Sequence, residues 1–287
     1  MSFLDQIIQD LFLEESESDE IIAIGGGCIH QAGMFRFNEK KYFLKWNANA
    51  SDMFAKEANG LNTLKLCASP YIKIPEVIGH GNVDNMDYLC LEFIDSGIGS
   101  HDSWENLGKG LALLHKNTND GFGLDYDNYI GTLRQSNHRI KDWVQFFIYE
   151  RLEPLIKMGV NRGYIEGSII SKFNSLFSKL NELLPVEQPA LLHGDLWSGN
   201  FLFSNHSVPV LFDPAIYYGH REAEIAFTKL FGGFQHRFYQ SYNEAYPLQI
   251  GHEERVDLFN LYPLLVHVNL FGSSYMSGIK QTLSRFT

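Results

Sequence analysis

The sequence predicts an α+β protein built as two unequal lobes, a small β-rich lobe over residues 1–95 and a mostly helical lobe over residues 96–287. Three observations lead to this prediction. Strand-like apolar stretches crowd the first 95 residues, a Gly/Ser-rich link follows at 96–100 (SGIGS), and segments of helical length fill the remainder. Strands gathered in one part of a chain and helices in another are typical of the α+β class.

The small lobe is expected to be a sheet with one helix inserted into it. The stretches EIIAIGG, MFRFNEKKYFLKW and DYLCLEFID have the composition of strands, and Asn38-Glu39-Lys40 has the composition of a hairpin turn. Between these strands, SDMFAKEANGLNTLKLCA has helical spacing, with Ser51 or Asp52 as the N-cap. A further amphipathic helix is predicted over residues 3–14, because its apolar residues recur at helical spacing opposite an acidic face.

The large lobe is predicted to contain helices at 103–118, 138–160, 166–184 and 253–285. Short apolar runs interrupt them between residues 190 and 214, where ALL, FLF and VPVLF alternate with polar turns. Apolar runs of this length between turn residues indicate short buried strands.

Composition and charge exclude several classes of protein. Hydrophobic residues make up 45% and charged residues 20%, which describes a globular protein with a sizeable core. The formal net charge is -11 and no basic stripe is present, so binding to nucleic acid or to an anionic membrane is not expected.

The cysteines and the N-terminus predict a cytoplasmic protein. Cys28, Cys67 and Cys90 form neither a CxxC pair nor a disulfide framework, as expected in a reducing compartment. The first twenty residues are acidic and amphipathic and lack the basic start of a signal peptide. The longest apolar run, LYPLLVHVNLF, is too short to span a bilayer.

The segment LLHGDLWSGNFLF, followed by VPVLFDPA, carries the strongest functional signal. It places His193, Asp195 and Asn200 on the spacing H-x-D-L-x-x-x-N, and Asp213 at the end of the next apolar run. This is the layout of a kinase catalytic loop and its second metal-holding carboxylate. Phosphoryl transfer requires a group that orients the attacking hydroxyl and oxygen ligands for Mg²⁺ on the nucleotide phosphates. We therefore expect these side chains to meet at one end of a hairpin.

The small lobe supplies the residues expected on the phosphate side of a nucleotide. Gly25, Gly26 and Gly27 follow the strand EIIAI and would let backbone N–H groups approach the phosphates. Neither a dinucleotide fingerprint nor a Walker A loop fits these glycines. Lys45, within the strand YFLKW, would contact the phosphates, and Glu57 on the following helix would hold it by an ion pair.

The strand YLCLEFID before the interlobe link would form the adenine slot. Backbone groups near Glu92 and Ile94 are expected to recognise the base, with Leu91 and Phe93 as its walls.

The chain departs from protein kinases in ways that favour a small substrate. His193-Gly194-Asp195 stands in place of H-R-D and Asp213-Pro214-Ala215 in place of D-F-G, and no A-P-E segment follows. Only about ten residues separate Asp213 from the next helix, REAEIAFTKLF, which leaves no room for a long peptide-docking activation loop.

Longer motifs resemble one family of small-molecule kinases. HGDLWSGN is similar to the catalytic loop of the aminoglycoside phosphotransferase-like group, which has a bilobal protein-kinase-like fold. Within that group the chain closely resembles the fructosamine-3-kinase (ketosamine-3-kinase) family over nearly its whole length. The resemblance is carried by GGGCI at 25–29, FGLDYDNYIGTLRQ, DWVQFF, RLEP, HGDLWSGN, FDPAIYYGHREAEIAF and KLFGGF.

The resemblance implies ATP-dependent phosphorylation of the O3 hydroxyl of a ketosamine, free or protein-bound, in the repair of glycated amines. Asp195 would then be the catalytic base, and Asn200 and Asp213 would hold Mg²⁺. Trp197, inside the loop, is a candidate platform for the sugar or its amine-bearing chain, with core packing as the equally weighted alternative.

Several alternatives stay open at this point. Another kinase of the same fold would act on an aminoglycoside, choline or homoserine, and a pseudokinase would bind nucleotide without turnover. His220 and Arg221 could touch substrate or cap a helix. Cys28 could be a redox switch or link two chains, or be a small buried residue. The identity of the sugar and of the amine, and the oligomeric state, are not specified by the sequence.

Overall fold

The computed structural model describes residues 2–14, 20–25, 30–48, 50 and 52–287. The N-lobe contains a five-stranded antiparallel sheet with the strand order β1-β2-β3-β5-β4. Its strands are β1 (Ile22–Ala23), β2 (Gln31–Phe37), β3 (Lys40–Ala48), β4 (Val77–Val83) and β5 (Met86–Glu92). The predicted turn joins β2 to β3, where Asn38 and Glu39 adopt φ values of 47° and 64°. Two such residues form the tight turn whose twist matches that of the flanking strands.

Helices cover both faces of this sheet. The amphipathic helix predicted at 3–14 is α1 (Phe3–Phe12), whose buried Leu4, Ile7 and Ile8 pack with the aromatic residues of β2, β3 and β5. The inserted helix is α2 (Met53–Cys67), and its buried residues join an apolar cluster that extends into the C-lobe. Asp52 precedes α2 but makes no capping bond through its side chain, which instead accepts a 2.6 Å hydrogen bond from the hydroxyl of Tyr129. Ser51, the other predicted cap, lies outside the described residues.

Helices form most of the C-lobe. They are α3 (His101–Leu114), α4 (Trp143–Phe146), α5 (Glu153–Asn161), α6 (Gly167–Phe177), α7 (Leu180–Leu183), α8 (Arg221–Leu230), α9 (His236–Ala245), α10 (His252–Phe259), α11 (Leu261–Phe271) and α12 (Met276–Phe286), with a π-helical turn at Phe147–Leu152. None of the helices within the described ranges combines the length and the apolar character needed to cross a membrane.

The predicted helix boundaries need three corrections. The helix predicted at 138–160 begins only at α4, where the side chain of Asp142 caps the N–H of Gln145 at 2.8 Å. The segment 166–184 is divided into α6 and α7, and 253–285 is divided into α10, α11 and α12. The last break occurs where Gly272 takes a φ of 95°, a conformation that ends a helix.

Short two-stranded sheets position the segment between residues 190 and 219. Strand β8 (Ala190–Leu192) pairs with β11 (Tyr217–Gly219), and β9 (Phe201–Phe203) pairs with β10 (Pro209–Leu211). A further hairpin, β6 (Asn128–Ile130) with β7 (Leu133–Gln135), together with β11 and α9, was not anticipated from the sequence.

The interlobe link is bonded to the β9–β10 hairpin. The N–H of Gly97 donates to the carbonyl of Phe203 at 2.7 Å, and the N–H of Asn205 donates to that of Asp95 at 2.8 Å. Lys73, which precedes β4 in the N-lobe, donates its N–H to the carbonyl of Pro209 at 2.8 Å. The N-lobe is therefore bonded to the β9–β10 hairpin at a second place. The exact division of the lobes between residues 95 and 96 stays a prediction.

A close helix crossing gives a test of the packing. A methyl group on Gly108 of α3 would overlap the Ser241 hydroxyl and the carbonyl of Phe238 on α9. We expect Gly108→Ala to lower the free energy of unfolding by about 1–3 kcal/mol through overpacking. Gly167→Ala, in α6 with nothing within 4 Å of the added carbon, is the matched control and should be neutral or slightly stabilising. Equal urea midpoints for the two variants would contradict this crossing.

Candidate active site

The β9–β10 hairpin brings Asn200 and Asp213 to the same end. Asn200 directly precedes β9 and Asp213 lies two residues after β10 ends, so antiparallel pairing sets them side by side. The N–H of Phe212 donates to the carbonyl of Asn200 at 3.1 Å, which closes this end of the hairpin. Asp195 lies on the loop between β8 and β9. The structure therefore gathers the three polar side chains that the sequence motif singled out.

Asp195 is held by Asn200. The side-chain Nδ2 of Asn200 donates to both the carboxylate Oδ2 and the backbone carbonyl of Asp195, each at 2.8 Å. The other carboxylate oxygen, Oδ1, has no hydrogen-bond donor among the described residues. Burial raises the pKa of Asp195 well above its usual value, and the charge of Asp213 raises it further against the bond from Asn200. Asn200 therefore orients the carboxyl group through Oδ2, and Oδ1 is left to accept a proton.

Lys45 connects the two lobes. It projects from β3, and its ammonium lies 2.8 Å from Oε1 of Glu57 on α2 and forms an ion pair with Asp213 from the C-lobe. Burial would lower the pKa of Lys45, but the carboxylates of Asp213 and Glu57 hold it above its usual value. Burial would likewise raise the pKa of Asp213, and the charge of Lys45 keeps it below its usual value. Lys45 is thus charged in the cleft between the lobes.

His193 and Gly194 tie the loop to residues on either side of Asp213. The buried His193 ring donates from Nε2 to the carbonyl of Phe212 at 2.9 Å, and its Nδ1 accepts from the N–H of Asp195 at 3.4 Å. Burial lowers the pKa of His193, which favours the neutral ring that these two bonds require. Gly194 has a φ of 84°, and a side chain there would overlap the carbonyl oxygen of Ala215. Only glycine suits this position of the loop.

Glu224 supports the loop from behind, and the sequence motifs did not identify its role. This buried carboxylate on α8 accepts the backbone N–H of His193 at 3.1 Å and that of Gly194 at 2.7 Å. It also accepts from Nε2 of His115 at 2.8 Å, and Nδ1 of His115 lies 2.7 Å from the hydroxyl of Tyr242. The one signal in the sequence was an acidic residue among the apolar positions of REAEIAF.

The structure assigns His220 and Arg221 to support of α8. The side chain of His220 caps α8 by accepting the N–H of Glu222 at 3.2 Å. Arg221 forms a buried two-bond ion pair with Glu187 and lies 3.8 Å from the ring centroid of Tyr246. The capping role considered from the sequence is found for His220, whereas Arg221 supports the helix through its ion pair.

The glycine segment lies partly outside the described residues. Gly25 follows β1, and the N–H of Ile24 donates to the carbonyl of Ala32 on β2 at 3.0 Å. The predicted phosphate loop thus begins at the end of a strand, between β1 and β2. Gly26, Gly27 and Cys28 belong to the undescribed part of the chain.

The two residues predicted to recognise adenine differ in their bonding. The N–H of Glu92 donates to the carbonyl of Glu76 at 2.8 Å, and its carboxylate pairs with Lys73 at 2.5 Å. This N–H is therefore not available to a base. The N–H of Ile94 has no acceptor among the described residues, which leaves a hydrogen-bond donor at the position expected for a nucleotide base.

Trp197 is half-buried and lies on the same loop as Asp195. Its ring packs across Gly199 and contacts Phe231 edge-on, with the two ring centroids 6.1 Å apart.

The oxygen donors fit a magnesium ion that is completed by phosphate oxygens. No cluster of three or more His, Cys, Asp and Glu residues suited to a metal occurs in the part of the chain that is described. Asp213 and Asn200 nevertheless supply one carboxylate and one amide at the same end of a hairpin. Mg²⁺ is commonly bound by one or two such groups together with substrate phosphates.

The support from Glu224 can be tested through stability. Glu224→Gln would present an amide NH₂ to groups that all donate hydrogen bonds, leaving buried donors unsatisfied. We expect a loss of about 1–3 kcal/mol in the free energy of unfolding, measured with urea. The exposed Glu254→Gln on α10 is the control and should unfold like the wild type. Equal stability of the two variants would show that Glu224 does not hold the loop.

Asp195 should make the stability depend on pH. Because its pKa is raised in the folded protein, the folded state keeps a proton that the unfolded chain has already lost. Stability contributed by this group is present at low pH and is lost as the pH rises from about 4 through the folded-state pKa. We expect Asp195→Asn to flatten this decline in urea titrations with a chelator present. The exposed Asp120→Asn variant is the control, and its stability should change with pH as that of the wild type does. If the stability of Asp195→Asn changes with pH in the same way as well, the raised pKa is contradicted.

Comparison with known proteins places this geometry in a family. The family model for fructosamine kinase matches residues 1–287. A "probable ketoamine kinase" of Synechocystis sp. is 39% identical over 269 residues, which cover 92% of this chain and 88% of the relative. The chloroplastic protein-ribulosamine 3-kinase of Arabidopsis thaliana is 37% identical over 279 residues, covering 94% and 84%.

Solved structures agree with the sequence comparisons. A crystal structure assigned as a fructosamine-3-kinase, from Thermobifida fusca, superposes with a TM-score of 0.88 at 29% identity and covers 98% of this chain and 97% of the other. The aminoglycoside phosphotransferase APH(4)-Ia, in a complex with AMP-PNP and hygromycin B, gives a TM-score of 0.64 at 14% identity, covering 99% and 98%. The second likeness shows a shared fold and confirms the predicted bilobal α+β architecture. With its full-length family match and its kinase-like fold, the chain belongs to the fructosamine kinase family and is an ATP-dependent phosphotransferase.

Proposed function

We propose that the protein transfers the terminal phosphoryl group of ATP to the O3 hydroxyl of a ketosamine, a sugar rearranged onto an amine by glycation. The observation that carries this proposal is the meeting of Asp195, Asn200, Asp213 and Lys45 in one cleft of a chain that matches the fructosamine kinase family throughout. The names of two relatives, ketoamine kinase and protein-ribulosamine 3-kinase, support the substrate class and the position of the hydroxyl.

Asp195 acts as the base. Its Oδ2 is occupied by Asn200, so Oδ1 accepts the proton of the sugar hydroxyl as the oxygen attacks phosphorus. The raised pKa brings the proton affinity of this carboxylate closer to that required at neutral pH.

Asn200 and Asp213 would hold Mg²⁺, which neutralises charge on the phosphates when it is bound. Lys45, oriented by Glu57, contacts the phosphates, and Gly25 at the end of β1 begins the segment that the sequence predicts to be the phosphate loop. The N–H of Ile94 and the segment at Glu92 face the adenine. Trp197 lines the sugar site next to Asp195.

The substrate class can be tested with a panel read out by ADP release. We expect turnover with fructosyl-lysine or ribulosyl-lysine and none with an aminoglycoside, choline or homoserine. Activity on an aminoglycoside alone would replace the proposed substrate, since these kinases share the fold. Absence of ADP release over the whole panel, with a folded protein, would favour a nucleotide-binding module.

The role of Asp195 has a sharper test. We expect Asp195→Asn to lower kcat by roughly 10²–10⁴-fold, because it removes proton transfer while keeping shape and the contact with Asn200. Asp120→Asn, exposed and distant in sequence from the cleft residues, should keep wild-type turnover. Near-wild-type kcat for folded Asp195→Asn would exclude this carboxylate as the base.

A further inference from the structure

An aromatic strip leads away from the loop that carries Asp195. It consists of five side chains: Trp197, Phe231, His267, Phe271 and Tyr275. Ring centroids are 6.1 Å apart for Trp197 and Phe231, and 4.7 Å apart for Phe231 and His267. From His267 the distances are 5.5 Å to Phe271 and 5.0 Å to Tyr275. The strip is therefore continuous from the catalytic loop to the turn between α11 and α12.

The KLFGGF segment sets the position of this strip. Gly232 and Gly233 take φ values of 71° and 94° at the end of α8. A methyl group on Gly233 would come within 2.6 Å of the Cβ atom of Ser198, so the segment lies against the catalytic loop. This close approach brings Phe231 to the ring of Trp197. One of the segments that carry the family resemblance thus shapes the surface next to Asp195.

Two rings of the strip are partly exposed to solvent. Phe231 is 39% exposed and Phe271 is 49% exposed. Apolar rings gathered on a surface commonly mark a binding site. Here the patch is continuous with the proposed substrate cleft, so the substrate itself is the occupant that the position favours.

His267 provides a single polar group within the strip. Its Nδ1 donates to the carbonyl of Pro263 at 2.7 Å, which leaves Nε2 as the acceptor of a neutral ring. Burial lowers the pKa of His267, in keeping with the neutral form. Nε2 has no hydrogen-bond partner among the described residues. An acceptor surrounded by aromatic faces suits a protonated amine attached to an apolar chain.

We propose that the aromatic strip binds the amine-bearing arm of the ketosamine, with His267 Nε2 accepting from the protonated amine and Phe271 packing on the chain beyond it. This inference rests on the proposed function. In a ketosamine the amine is on C1 and the acceptor hydroxyl on C3, so a sugar placed at Asp195 keeps its amine near the neighbouring Trp197. The strip then selects substrates by what the amine carries, whether a lysine side chain or a smaller group.

The test compares two substrates that share the sugar and differ in the arm, fructosyl-lysine and fructosyl-methylamine. For Phe271→Ala, the ratio of kcat/KM for fructosyl-lysine to that for fructosyl-methylamine should fall by roughly 3- to 30-fold, the range expected for lost contacts between a ring and a cationic chain. His267→Phe keeps an aromatic ring but removes the acceptor. It should raise KM by roughly 10-fold or more for both substrates, because both carry the amine.

Tyr149→Ala is the matched control, since Tyr149 is 55% exposed and lies in the π-helical turn outside the strip. It should preserve the wild-type ratio. An unchanged ratio in Phe271→Ala and an unchanged KM in His267→Phe, with wild-type turnover of both substrates, would overturn the strip as a subsite. So would unchanged kinetics accompanied by loss of a dimer in Phe271→Ala, which would make the patch a contact between two copies. Failure of the wild type on both substrates would instead refute the proposed function.

Discussion

The ammonium of Lys45 is the interaction on which the arrangement of the cleft depends. It is buried between Glu57 of its own lobe and Asp213 of the other, so one cation neutralises carboxylates that arrive from two separate parts of the fold. Carboxylates in a desolvated site repel one another, and the charge of Asp213 raises the pKa of Asp195. The cation therefore fixes the approach of the lobes and keeps Asp213 ionised at the hairpin end where the proposed chemistry takes place.

The supporting groups and the reacting groups are bonded differently. Glu224 and His193 lie in the interior and use their polar atoms on protein partners, which holds the loop in one conformation. The groups that are proposed to contact ligands each keep one polar atom without a partner among the described residues: Oδ1 of Asp195, the N–H of Ile94 and Nε2 of His267. The proposed function assigns contacts with nucleotide or substrate to these three atoms.

The comparison structures separate what is common to the fold from what is particular to the family. An aminoglycoside phosphotransferase shares the architecture at 14% identity, so the bilobal frame does not specify a substrate. Two of the segments that carry the family resemblance lie around the loop that carries Asp195. REAEIAF places Glu224 behind that loop, and KLFGGF sets Phe231 beside Trp197 in front of it. Selectivity is therefore expected from the packing around the loop that carries Asp195.

The sequence by itself determined the features that depend on neighbours along the chain. Four features could be predicted because each depends on residues close together in the chain. They are the spacing from His193 to Asn200, the β2–β3 turn, the amphipathic period of α1 and the order of Lys45 and Glu57. The breaks within the segment 253–285 and the β6–β7 hairpin were not, since apolar periodicity does not reveal where packing interrupts a helix or pairs a short strand. Only the tertiary structure decided that Glu224 accepts the N–H groups of His193 and Gly194. It also decided that the five side chains of the aromatic strip, which are far apart in the sequence, lie next to one another. Those contacts join distant segments, and their formation depends on how the whole core packs.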